Sequence, residues 1–98
     1  MNDIDMPERF TELPVNQQKE LVKWISENLK SRQTFNSSYT SFGLKDIFEK
    51  CHPACFVKNG EFKGAMLKAG FKVKDKTATN WVFNVSKKSP AIEKFYST

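Results

Sequence analysis

Residues 59–74 read NGEFKGAMLKAGFKVK. Asn59 has the chemistry of a helix N-cap, and Glu61 in the first turn suits the positive end of the helix dipole. Phe62, Ala65, Met66 and Ala69 recur on one face and predict a short helix with a buried stripe. Gly70 stands where a glycine stop belongs, and Phe71 follows as the apolar contact of that stop. The period then changes. Phe71 and Val73 alternate with Lys72 and Lys74, DKTATN reads as a turn, and Trp81, Phe83 and Val85 alternate with Val82, Asn84 and Ser86. Two alternating runs joined by a six-residue turn predict a β-hairpin after the helix.

Upstream, Leu13-Pro14 opens a helix expected over about 15–31, with Leu21, Val22, Ile25 and Leu29 at helical spacing and Trp24 beside them. SRQTFNSSYTS (31–41) is a polar loop ending in an N-cap at Thr40 or Ser41. Leu44, Ile47, Phe48 and Cys51 mark a second helix over about 41–51, stopped ahead of Pro53. Phe56 and Val57 suit a very short strand. Three helices followed by a two-stranded wing is the element order of an α+β winged helix-turn-helix. The tail SKKSPAIEKFYST either packs back as a short C-terminal helix or stays loose. The expected organisation is a loose leader (1–12), a winged-helix-like domain (13–88) and a C-terminal tail (89–98).

Nine Phe, two Trp and two Tyr in 98 residues are core material, too much for a disordered chain. No apolar run approaches the roughly 20 residues of a membrane span. MNDIDMPERF is acidic and polar, unlike a signal peptide, so a cytoplasmic location is expected. Cys51, Cys55 and His52 sit together in CHPAC, one ligand short of a structural zinc site, so the expectation is buried thiols at a helix end. No phosphate-cradling glycine loop, nucleophile elbow or HExxH occurs. Asp46 and Glu49 fall on the wet face of the second helix. Neither a metal, a cofactor nor an enzymatic role is expected.

The charge is uneven. Residues 1–49 hold six Lys/Arg against eight Asp/Glu, net −2, whereas residues 50–98 hold ten lysines against three acids, net +7. That split suggests an anionic partner for one side of the molecule. Lys63 and Lys68 lie on the third helix, on the face opposite its buried stripe, with Gly60, Gly64 and Leu67. Lys72, Lys74 and Lys76 alternate into the turn, Lys87 and Lys88 follow the returning strand, and Lys58 leads into the helix. These eight lysines are the candidate nucleic-acid contacts, expected to touch phosphates, because the Arg, Asn and Gln pairs that read base edges are missing from the helix. Edge lysines that block strand pairing are the plainer reading of Lys72, Lys74 and Lys76. The exposed Leu67 and the two glycines favour the alternative of an acidic protein partner. A homodimer remains open.

SSYTSFGLKDIFEK, NGEFKGAMLKAGF and NWVFNVSKKSP together resemble small, mostly uncharacterised proteins carried by phages and mobile elements of Gram-positive bacteria. The shared positions are Ser38, Tyr39, Gly43, Leu44, Lys45, Asn59, Phe62, Lys63, Gly70, Phe71, Asn80, Trp81 and Phe83, within about residues 37–90. The resemblance implies a mobile-element origin and a winged-helix-like fold, such as those in phage replication and primase-associated proteins. It implies no established activity.

Overall fold

A computed structural model of the chain describes residues 3–96. The outer ends of the expected leader and tail, residues 1, 2, 97 and 98, lie outside the described residues. Two 3-10 turns, Asp3–Asp5 and Pro7–Glu12, precede α1 (Val15–Asn28), α2 (Ser41–Cys51), α3 (Asn59–Lys68) and α4 (Pro90–Tyr96).

The helices begin and end for local reasons. Pro14 caps α1, which stops at Leu29, where the backbone turns extended. Thr40 Oγ1 accepts the Gly43 amide at 3.4 Å and starts α2. At α3 the cap is Lys58, whose amide donates to Glu61 at 2.8 Å. Asn59, expected as the cap, is instead the first helical residue, and its side chain is buried. The α3 stop is a full glycine motif: Gly70 has φ +96°, its amide bonds Leu67 O, and the Phe71 amide bonds Met66 O. One buried cluster takes in Phe10, Leu21, Phe48, Phe62, Phe83 and Ile92. Residues at both ends of the chain therefore share a core with all three central helices.

The winged helix-turn-helix expectation is overturned. Among the described residues no run forms a strand, sheet or hairpin. Antiparallel contact is confined to isolated bridges, Ser31–Val85, Thr40–Val82 and Val73–Phe83. The cause lies in how residues 81–86 spend their hydrogen bonds. Trp81 exchanges bonds with Ser41, Asn84 with both Lys72 and Arg32, and Ser86 reaches Lys30 O. Three neighbours share one short segment, so no pairing persists long enough to make a ladder. The short strand expected at Phe56–Val57 is also absent; the Val57 amide bonds Glu49 Oε2 instead.

The leader is packed as well. Residues 3–12 lie along α3, on the face that carries Gly60 and Gly64. A Cβ at Gly60 would sit 2.2 Å from Met6 O, and one at Gly64 would sit 2.3 Å from Phe10 Cβ. Both glycines serve close helix-to-backbone approach inside the protein. Asn59 Nδ2 clamps the segment through Asp5 Oδ1 at 2.9 Å. The tail takes the helical option as α4, with Ala91 and Ile92 buried.

Candidate polyanion-binding surface

The surface is built around Asn84. Its side-chain oxygen accepts the Lys72 amide at 2.8 Å, and its side-chain nitrogen donates to Arg32 O at 3.0 Å. Its main chain repeats both links, through Asn84 N to Lys72 O and Arg32 N to Asn84 O. Segments 30–32, 84–86 and 72–74 therefore lie side by side. Register then decides which side chains face out. Residues opposed in a bridge share a face, and successive residues alternate. Val73 pairs with Phe83, and Ser31 with Val85. Phe83 and Val85 are fully buried and Asn84 is buried between them, whereas Lys30, Lys72 and Lys74 are exposed and Arg32 is half-buried, so the flanking basic side chains reach solvent. With adjacent segments about 4.8 Å apart, the Arg32 and Lys72 backbones stand roughly 10 Å apart across Asn84.

The turn to α4 extends this face. Ser89 Oγ bonds both the amide and the carbonyl of Lys30, at 2.7 and 3.3 Å, and Ser86 N donates to Lys30 O. The intervening Lys87 and Lys88 are exposed, in the turn whose two ends, Ser86 and Ser89, bond Lys30. The contributing stretches are free of carboxylates: no Asp or Glu occurs in residues 28–45, 62–74 or 76–92. None of the six basic side chains is in an ion pair among the described residues. The Arg32 guanidinium donates to the neutral carbonyls of Thr34 and Phe35. The nearest acid in sequence is Asp75. Its carboxyl is held below the usual range by the Thr77 hydroxyl and amide, so it stays charged and trims the field at one edge.

The eight lysines expected as one stripe separate into four places. Lys72, Lys74, Lys87 and Lys88 join the face just described. Lys68 and Lys76 line shallow grooves beside Leu67. Lys58 is exposed but adjoins Glu61 at the head of α3. Lys63 is buried: its Nζ donates to Asp5 O at 2.8 Å and sits 4.8 Å from the Trp81 ring centre. Burial pushes its ammonium pKa down, and the Asp5 charge partly opposes this. Of the α3 face expected to meet a ligand, the part carrying Gly60, Lys63 and Gly64 is thus covered by the protein's own residues 3–12, while Leu67 and Lys68 stay exposed. Lys30 and Arg32 were missed because they belong to the acidic half; the acid-free run 28–45 was the available signal.

The CHPAC cluster has a different character. His52 stacks on Phe48 at 4.7 Å, with Nε2 3.2 Å from Glu20 Oε1. Cys51 is exposed rather than buried. Burial pushes the Cys55 thiol pKa up, and the carboxylates of Glu20, Glu49 and Glu61 add to the rise. A thiol held protonated is a poor ligand and a poor nucleophile. Among the described residues no group of three or more His, Cys, Asp or Glu could hold a metal ion, and no helix is long and apolar enough to cross a membrane. No family model, curated protein or solved structure matches this chain.

Proposed function

We propose that this protein is a small, non-enzymatic nucleic-acid-binding module that contacts phosphates through Lys30, Arg32, Lys72, Lys74, Lys87 and Lys88. One observation carries the reading: the side chains flanking Asn84 are basic, free of ion pairs among the described residues and drawn from stretches that contain no acid. Lysine is a point charge suited to phosphate and offers little base discrimination. Binding is therefore tolerant of sequence and sensitive to salt.

The test is fluorescence anisotropy with labelled single-stranded and duplex oligonucleotides between ~50 and 200 mM salt. Four phosphate contacts give a log–log salt slope of about −3.6 on duplex and about −2.8 on a single strand. Lys72→Glu with Lys74→Glu should weaken binding and flatten the slope, since each lost contact removes its share of counterion release. Binding that survives this double reversal unchanged, or no binding at the lowest salt, refutes the assignment. An acidic protein as the true ligand would appear as oligonucleotide affinity no better than that of free phosphate.

A further inference from the structure

Three depressions run together along the outer edge of the 3-10 turn Pro7–Glu12. The first, about 430 Å³, is lined by Phe10, Val15 and Val22 with Lys19, Lys23 and Lys68 around them. The second, about 510 Å³, shares Phe10 and Lys68 with it and continues over Gly64 and Leu67. The third, about 310 Å³, shares Pro7 and Leu67 with the second and ends at Met6, Lys76 and Trp81. They form one trough. Its floor is apolar, and Val15 (62% exposed), Met6 (37%) and Leu67 (36%) reach solvent along it. Its rim is cationic: Lys19 and Lys23 are four apart on α1 and share a face, Lys68 sits midway, and Lys76 stands at the far end. Glu8 is the one carboxylate among the lining residues.

From this geometry we infer that the trough docks an acidic amphipathic helix from a protein partner. Such a helix would lay apolar side chains spaced i, i+3, i+4 and i+7 on Phe10, Val15, Val22 and Leu67. Its flanking carboxylates would meet the four lysines, which supply orientation and encounter rate more than affinity. Nucleic acid fits the trough poorly, because its two aromatic rings, Phe10 and Trp81, are buried and offer bases no stacking face, the apolar floor offers phosphates nothing, and Glu8 repels them. A second copy of this chain fits no better. Its helices expose one large apolar residue each, Val15, Phe42, Leu67 and Tyr96, so none presents an apolar stripe. The trough shares no lysine with the six-residue basic face, so this inference stands apart from the nucleic-acid reading.

The experiment is an amide-resolved NMR titration of the full chain with an ~18-residue Glu/Leu/Ala peptide carrying that apolar spacing. A scrambled peptide and a Lys-for-Glu peptide serve as controls. The expected result is saturable shifts at Val15, Lys19, Val22 and Leu67, with weak or absent binding of both controls. Val15→Glu with Lys23→Glu, both at exposed positions, should lower affinity at least about tenfold while leaving the unfolding midpoint nearly unchanged. The inference is overturned by no shifts at ~1 mM peptide, the weakest affinity worth assigning, or by equal binding of either control. It is also overturned if the shifts centre on Asn84, or if an oligonucleotide rather than the peptide moves the trough residues.

Discussion

Replacing Gly60 by alanine is the sharpest test of the packing of residues 3–12 on α3. On helix propensity alone the change should stabilise the protein by about 1 kcal/mol. The structure gives the opposite sign. The added Cβ would meet Met6 O at 2.2 Å, Met6 N at 2.7 Å and Asp5 C at 2.8 Å, all main-chain atoms. No side-chain rotation relieves such contacts, so the segment must move by about 1 Å or more to reach van der Waals distance. Overpacking of this kind costs up to about 3 kcal/mol. If the segment peels away instead, the Asn59–Asp5 and Lys63–Asp5 hydrogen bonds go, at about 1.5–3 kcal/mol each because charged groups are involved. Set against the propensity gain, overpacking leaves a net loss of up to about 2 kcal/mol and peeling a net loss of about 2–5 kcal/mol; each kcal/mol lost lowers Tm by about 4–8 °C in a domain of this size. Urea and thermal unfolding would measure it, and amide exchange across residues 3–12 would show where the protein yields. Gly43→Ala is the comparison, since its Cβ would meet the Tyr96 hydroxyl at 3.1 Å, the movable end of a side chain. A Gly60→Ala protein as stable as wild type, or more so, would refute the reasoning.

Two further outcomes follow from buried polar groups. Asn84→Ala leaves the Lys72 amide and the Arg32 carbonyl without partners, which should cost about 2–4 kcal/mol in urea unfolding and weaken oligonucleotide binding although no charge is removed. Lys63→Met isolates the depressed ammonium. The folded-state pKa lies below the unfolded one, so between the two values the unfolded chain binds more protons and stability rises with pH. Wild type should therefore gain stability relative to Lys63→Met as pH climbs toward the ordinary lysine range of about 10.4; a constant difference from neutral to alkaline pH would contradict the burial of the charge.

Much of the helical framework was legible because it is decided locally. The bounds of α2, the proline start of α1 and the Gly70–Phe71 stop each follow from a few adjacent residues. What failed was non-local. Helical spacing correctly put Gly60, Lys63 and Gly64 opposite the Phe62–Met66 stripe, but it gave no means of knowing that residues 3–12 would cover that side. A lysine on the far face of an amphipathic helix reads as solvated until a second layer is seen. The hairpin failed for a related reason. Alternation holds for residues 71–74 and 81–83, but Asn84 is buried between Phe83 and Val85, and nothing in the spacing revealed that Ser41 would bond Trp81 and Arg32 would bond Asn84.

The same non-local folding redistributes charge. By sequence the molecule has an acidic first half and a basic second half, but the folded surface is not divided that way. Asn84 and Ser89 draw Lys30 and Arg32 out of the acidic half and set them beside Lys72, Lys74, Lys87 and Lys88. In the other direction, Glu61 leaves the basic half to join Glu20 and Glu49, all three acting on Cys55. Arg9 and Lys45 pair with neighbouring carboxylates, whereas Lys30, Arg32, Lys72, Lys74, Lys87 and Lys88 form no ion pair among the described residues; pairing of exposed charges stabilises a fold little in any case. For the proposed polyanion ligand, an unpaired basic row would steer approach before contact, an effect that weakens as salt rises. Asn84 is what ties fold to field: its hydrogen bonds hold three short segments too brief to form a sheet, and those segments carry the basic row.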